Sequence, residues 1–481
     1  SFVGGGTFNL IQQSSFNSVI GSGAHNLINL NSDFSSILSG VSCSIDSHSD
    51  KSFIGAGSGS KIISSSNQSF IGAGATNTVK FASSSFIGAG KNNIIEGSLG
   101  NTTAIEILGS APAENFSAKV SSIIGGEDNT IYNAYETFIG GGKNNIISGS
   151  KGTISAGSNL YHSDLPVWSS IVGGAENEIK NWNLGAFIGG GYQNKIFKDG
   201  PVDHYTKYGV ANTIVGGLLN KLSTNNRMGT AGGIGAGYAN FIGGAYAAII
   251  SGSHMSSIVG GNSNRINQDV EYAFIGGGGS NRIGPNTGAN SNQYAVIVGG
   301  QLNDIQGVGN GSFIGGGYNN TIDSTGHYNA ILGGEANTIG SSYTDTFIIG
   351  STITADASNT TYVEALKSEG DVTAYWSSDI RLKDNVKPIE DALFKVKQIR
   401  GIEFEWNDKL GDRAHQKAGT TDIGVVAQDV QKVLPNIVKE RKDGWLGVRY
   451  DRMVPVLLEA IKEQQTQIDE LKKEIEELKN A

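Results

Sequence analysis

One phrase recurs from Ser1 to about residue 350: two apolar residues, two or three small ones dominated by Gly, a short polar gap, Asn, any residue, then Ile, Val or Leu. Phe2-Val3-Gly4-Gly5-Gly6 with Asn9 is the first copy; Phe86-Ile87-Gly88 with Asn93 and Phe313-Ile314-Gly315 with Asn320 are later ones. A shorter variant reads Ile171-Val172-Gly173-Gly174 with Asn177 and Ile258-Val259-Gly260-Gly261 with Asn264. Uninterrupted copies start roughly 15 to 18 residues apart, the length of one turn of a small parallel β-solenoid. Such a period leaves room for little else, and the expected class is mainly β.

Adjacent residues of a strand point to opposite faces, so Phe86 and Ile87 cannot fill the same core. Each coil therefore needs burial on two sides. The interior supplies one, and three solenoids packed about a common axis supply the other for every repeat, which predicts a homotrimer. Tightly wound coils also need close backbone approach and left-handed corners, which Gly gives at least cost. The recurring Asn fits a turn, where its side chain can bond local backbone or stack on its counterpart in the next coil.

The same repetition argues against several chemistries. Gly276-Gly277-Gly278-Gly279 could be taken for a phosphate-cradling loop, but the phrase recurs and no helix follows it. Seven histidines are scattered without metal-ligand spacing, so no metal or cofactor is expected. Acidic residues in the body are sparse and form no motif for glycoside cleavage. A net charge of -9 argues against nucleic acid as a partner. The single cysteine, Cys43, can form no intrachain disulfide and reads as a small buried residue. No apolar run reaches the length that crosses a bilayer, so no membrane insertion is expected. The chain starts at Ser1 inside a repeat, which leads us to expect a further N-terminal part that anchors it.

Insertions break the period at Gly100 to Ser117, Lys198 to Gly209, Thr224 to Gly233 and Gly284 to Gln293. Long loops on a rigid scaffold are the usual place for recognition. The loop holding His204, Tyr205 and Tyr208 is the candidate contact with a glycan or protein receptor, since it gathers aromatic and charged groups.

Near Trp376 the chain changes character. Nearly all of the 70 glycines lie before this point, while about half of the charged side chains follow it. Residues 351–378 alternate weakly, as in Thr361-Tyr362-Val363, and read as an intertwined β-stem connecting a 1–350 body to the tail. Beyond it, the pattern predicts a helix over Pro388 to Ile399, strands over Ile402 to Trp406 and Ile423 to Ala427, a helix over Asp429 to Leu434, and a strand over Trp445 to Tyr450. From 457 to 481, Leu457, Ile461, Gln464, Ile468, Leu471, Ile475 and Leu478 form a heptad seam, predicting a coiled coil. Its Ile and Leu pattern alone leans towards two strands, so three-fold assembly rests on the body.

The order Ser378-Asp379-Ile380-Arg381-Leu382-Lys383, then Phe404-Glu405-Trp406, Gly424-Val425-Val426-Ala427-Gln428-Asp429-Val430, Leu434-Pro435, Tyr450 and the heptad helix resembles the intramolecular chaperone auto-processing domain of phage tail fibres and tailspikes. That resemblance implies a small α+β chaperone over 379–456 and a Ser-Lys dyad that cuts the chain once after trimerisation. Ser378 would be the nucleophile, Lys383 its base, and the bond Ser378–Asp379 the one cut. It also implies a virion tail fibre assembled in the host cytoplasm, with a host receptor and other tail proteins as partners. The body phrase is similar to the head repeats of trimeric autotransporter adhesins, so a bacterial surface adhesin with the same tail is the alternative. From a Ser and a Lys five residues apart alone, nothing follows. Attack by Ser378 on its own carbonyl would close a four-membered ring, whereas attack on the preceding carbonyl, or by a neighbouring subunit, would not; both stay open.

Overall fold

The computed structural model describes the chain except residues 13, 98–119, 135, 149–151, 163–167, 181–182, 200–208, 211, 226–232, 236, 243–255, 268–269, 271, 285–293, 307–309, 365, 367, 370–376, 411–417, 442–443 and 481. It divides into two units, Ser1–Glu364 and Ala365–Ala481.

The first unit is a parallel β-solenoid. Each coil contributes a short strand on one face, such as Phe53–Ile54, and another on a second face, such as Lys61–Ile63. A single bridging residue between them, Ser58 in this coil, forms a third ladder. Face one is a 20-stranded parallel ladder running in chain order, Phe2↔Val19, Val19↔Ser36, Ser36↔Phe53, and onward. Insertions leave its register intact, with Phe86 paired to Ser122 and Phe187 to Thr213. All of them leave the chain at one corner, between a face-two strand and the face-one strand of the next coil. The ladder also continues past the last Gly phrase: Thr361–Val363, read from sequence as part of a 351–378 stem, pairs with Phe347–Ile349. Tyr362 points inward and packs on the core, and its hydroxyl donates to Asp356 Oδ1 at 2.6 Å. Of the expected 351–378 stem, residues 365, 367 and 370–376 lie outside the described residues.

The core is two files of isoleucine. Ile54, Ile62, Ile71, Ile87 and Ile95, like their counterparts in most other coils, are fully buried. Each contributes about 1.5–3 kcal/mol by leaving water. Asn supplies the third inward contact. Asn194 is typical: its Nδ2 donates to the carbonyls of Gly190 at 2.9 Å and Gly217 at 2.9 Å and to Asn177 Oδ1 at 3.2 Å. Its own Oδ1 accepts from the backbone N–H of Asn220 at 3.0 Å. Both expected roles, local backbone partner and stacked ladder, are thus filled by one side chain. A second ladder was not anticipated: buried serines precede many of the face-one strands, where Ser52 N donates to Ser35 Oγ and Ser69 N to Ser52 Oγ. Cys43 occupies an Asn position, free and buried, and burial pushes its thiol up.

Outside the core, face one carries about one apolar group per coil, and it comes from either of two positions. Where the first strand residue is Phe, the residue two further on is Gly in every coil except Phe347-Ile348-Ile349, and the ring lies over that Gly: a Cβ at Gly88 would sit 3.2 Å from Phe86 Cε1, and one at Gly276 would sit 3.3 Å from Phe274 Cε1. Where the first residue is small, a larger one takes that space in most coils, as in Ser122-Ile123-Ile124, Ser170-Ile171-Val172 and Ser257-Ile258-Val259, while Thr153-Ile154-Ser155 and Gly233-Ile234-Gly235 carry neither. Neighbouring rings stack, Phe53 on Phe70 at 5.0 Å and Phe70 on Phe86 at 5.1 Å. No charged residue occupies the outward strand position of face one anywhere along the ladder.

The second unit is small and α+β. Helix α1 (Ala392–Lys397) is followed by an antiparallel pair, Gly401–Glu405 with Thr421–Val425. Then come α2 (Ala427–Val433), a second pair, Val438–Glu440 with Leu446–Val448, and the long helix α3 (Met453–Asn480). Strand Val438–Glu440 carries no sequence signal, because it is short and two of its three residues are charged. Helix α1 begins later than the periodicity suggested. Asp391 takes φ 53 and makes no side-chain cap, while Glu463 of α3 accepts from Ala392 N and Leu393 N, each at 2.8 Å. A carboxylate on two otherwise unpaired N–H groups is a strong cap. Glu463→Ala is therefore expected to lower stability by about 1–2 kcal/mol, read as the denaturant midpoint of the unit; Glu463→Gln should lose less.

Candidate processing site at Ser378

The junction residues lie at the start of the second unit. Asp379 caps a 3-10 turn, Ile380–Leu382, by accepting from Arg381 N at 2.9 Å. Leu382 N donates to Asp379 O at 3.2 Å and Lys383 N to Ile380 O at 3.1 Å. The turn reverses the chain, so a Lys five residues after a Ser reaches back to it: Lys383 Nζ donates to Ser378 Oγ at 2.8 Å. Arg381 clamps Asp379 from the other side, Nη2 to Oδ2 at 2.7 Å and Nε to Oδ1 at 3.1 Å. That guanidinium, with the Arg381 backbone N–H, holds the Asp379 carboxyl below its usual range. The residues flanking the Ser378–Asp379 bond are thus both held by side chains within five positions of it.

Every side chain from Ser377 to Pro388 is exposed. The contact as it stands has the Lys as donor. General-base chemistry needs the reverse, a hydroxyl donating to a neutral amine, and desolvation favours that state. Within one chain nothing described supplies it.

Further along, Tyr450 Oη accepts from Val425 N at 3.2 Å, and a Cβ at Gly424 would lie 2.8 Å from that oxygen. Gly424 and Tyr450 are therefore one packing unit joining the first strand pair to the turn before α3. Arg400 Nε donates to Asp429 Oδ2 at 2.7 Å and holds that carboxyl low.

Of the heptad residues, Leu457, Ile461, Ile468, Leu471, Ile475 and Leu478 are all exposed, from 39% at Ile468 to 78% at Leu478. Helix α1 packs instead on Val456 and Ala460, which leaves the seam uncovered along the full length of α3. The loop of His204, Tyr205 and Tyr208 lies outside the described residues. Among the described residues no group of His, Cys, Asp or Glu could hold a metal ion, and no helix is long and apolar enough to cross a membrane.

Residues 378–439 match the family model described as the chaperone of endosialidase. Three curated relatives are long tail fiber proteins Gp37. Those of Enterobacteria phages K3 and T2 are each 37% identical over 105 residues, covering 21% of this chain and 8% of the relative. That of Salmonella phage S16 is 33% identical over 111 residues, covering 22% of this chain and 14% of the relative. The chain thus matches only a small fraction of these relatives' length. The chaperone match and the solenoid body fit a phage tail fibre with a C-terminal chaperone.

Proposed function

We propose that the chain is a segment of a homotrimeric phage tail fibre whose body attaches to the host surface and whose tail assembles the trimer and then cuts itself away. The observation that carries the reading is the coincidence of the chaperone match, starting at Ser378, with the Lys383–Ser378 contact at that same residue.

The physical logic runs from the body. Parallel coils in three-chain register nucleate slowly and expose strand edges meanwhile. A C-terminal trimeriser raises the effective concentration of the chains to the order of millimolar and sets their register. The uncovered seam of α3 supports association there. The charge-free, largely apolar stripe of face one supports association along the body, since another copy of this chain has the same axial period. Packing of three copies around the junction would desolvate Lys383, which ties cleavage to completed assembly.

In the cut, Lys383 takes the proton of a serine hydroxyl, the oxygen adds to a carbonyl carbon, and the C–N bond breaks with the proton passing to the leaving nitrogen. Water then hydrolyses the ester. If the bond is Ser378–Asp379, the hydroxyl comes from another copy; if it is Ser377–Ser378, Ser378 attacks through a five-membered ring. The new N-terminus, Asp379 or Ser378, distinguishes them. Removing the tail removes the refolding route and leaves the fibre kinetically stable.

Light scattering on the processed body should return three chain masses; a monomer would overturn the assembly reading. Ile468→Asp or Ile475→Asp buries a charge in the seam, at a cost of about 3–5 kcal/mol per unpaired charge. Insoluble body is the expected product, and normal soluble trimer would make the coiled coil dispensable.

A further inference from the structure

The exposed seam of α3 repeats almost without variation. Ile461, Ile468 and Ile475 alternate with Leu457, Leu471 and Leu478, so helices shifted by one heptad would still set Ile beside Ile and Leu beside Leu along most of their length. The flanking charges do not forbid the shift. In a parallel pair Glu474, beside the seam, faces Lys479 of its neighbour when the helices are aligned and Lys472 after a one-heptad slip, so an ion pair forms either way. Such a slip moves a helix by about 10 Å, close to two rungs of the body at about 4.8 Å each. The charge-free, largely apolar stripe of face one changes little over that distance and offers little to reject it.

One residue breaks the repeat. Gln464 takes a Leu position of the seam, is exposed, and makes no hydrogen bond among the described residues. Its neighbours are engaged within their own chain: Gln465 Nε2 donates to Asp469 Oδ1 at 2.8 Å, Thr466 Oγ1 donates to Lys462 O at 3.1 Å, and Glu463 caps α1. An amide side chain carries both donors and an acceptor, which a second amide satisfies and a Leu cannot. In an aligned three-stranded seam the Gln464 side chains share one layer, where each Oε1 can accept from Nε2 of the next copy and close a ring. After a slip each amide meets Leu457 or Leu471 instead and is buried without a partner, which opposes association.

We propose that Gln464 is the residue that fixes the axial register of the three chains, because in the seam it tolerates only its own counterpart. The inference rests on the assembly reading and names the determinant of the alignment that the tail imposes. A single polar residue in a coiled-coil core gives up stability and gains register. Here that exchange matters beyond the helix, since bodies offset by two coils would leave unmatched rungs at both ends of the fibre. Replacing Gln464 by Leu should therefore make the seam more adhesive and less exact.

The test uses the full chain, coexpressed as two forms with different C-terminal tags. One pair carries Ile468→Cys in both forms and reports aligned helices. The other carries Ile461→Cys in one form and Ile468→Cys in the other, and reports a slip of one heptad. After mild oxidation, disulfide-linked species bearing both tags are read on a denaturing gel of total protein, so that a variant which precipitates still reports; Cys43 is buried in the body and does not compete. With Gln464 in place the aligned pair should link and the mixed pair should not. Gln464→Leu should raise the mixed link at least tenfold and lower the yield of soluble trimer, even though the seam is then more apolar. Gln464→Asn keeps the amide and should behave as the wild type does. The inference is overturned if Gln464→Leu leaves the mixed link at its wild-type level, if Gln464→Asn slips as far as Gln464→Leu, or if mixed and aligned links are equally abundant with Gln464 present. No link in either pair, together with a monomer mass, overturns instead the assembly reading and the inference with it.

Discussion

Ser378→Ala, expressed as the whole chain, should assemble and remain at 50.3 kDa, while the wild type splits at the junction. Removing the hydroxyl removes the group that forms the covalent bond, so processing should slow by at least about 10³-fold. Lys383→Ala should do nearly the same. Lys383→Arg is the sharper variant, since guanidinium keeps the charge and a hydrogen bond to Ser378 but cannot act as a base. If Lys383→Arg cuts normally, Lys383 is an electrostatic holder and the dyad reading is wrong. Both positions are exposed, so folding should change by no more than about 0.5 kcal/mol. The uncut trimers should nonetheless dissociate at lower temperature on a denaturing gel, because the tail and its refolding route are retained.

Gly174→Ala should prevent the body from folding. Gly174 has φ +89, and an added Cβ would overlap the Gly191 carbonyl oxygen and lie 2.6 Å from Asn177 Nδ2. Neither neighbour can retreat: one is the backbone of the next coil, the other a buried rung of the ladder. A left-handed penalty of roughly 1–2 kcal/mol adds to displacement of a stacked coil, and the sum should exceed about 4 kcal/mol, in the range that unfolds marginal proteins. Gly141→Ala, two coils earlier in the same phrase, meets nothing within 4 Å and should be tolerated. Equal soluble yield from the two variants would mean that the coils are not stacked as described.

The repeat was legible because its physics is local. Each Phe-Ile-Gly phrase names its strand, its inward Ile and its corner, and the Asn positions follow at fixed offsets. The serine ladder was equally visible, in Ser52, Ser69 and Ser85 before successive Phe-Ile pairs, but small polar residues in a Gly-rich chain read as turn filler. Two other features could not be read from spacing. Glu463 caps α1 from some 70 residues away, a contact that only the packing of α1 on α3 creates. The register of Lys195 with Lys221 and of Arg265 with Arg282 is scattered in sequence by insertions of unequal length, and only the stacking of the coils brings these residues together. At the junction, sequence gave the residue types, and the 3-10 turn supplied the reach between Lys383 and Ser378.

The Asn ladder is not uniform, and its gaps divide the body. From Asn177 to Asn337 each coil passes a hydrogen bond to the next, with Ile353 N closing the series on Asn337 Oδ1 at 3.0 Å. Towards the N-terminus it is broken at Cys43, Ser60 and Leu160, where the rung cannot donate as Asn does, and Ser60 Oγ is buried without a partner. A solenoid opens coil by coil, because each coil touches only its neighbours. An opening front should therefore pause at continuous rungs and start at broken ones, so that amide exchange divides the body into separate cooperative blocks with the 177–337 block the slowest. The fibre would then yield to heat or pulling in steps whose boundaries are set by three single-residue departures from Asn.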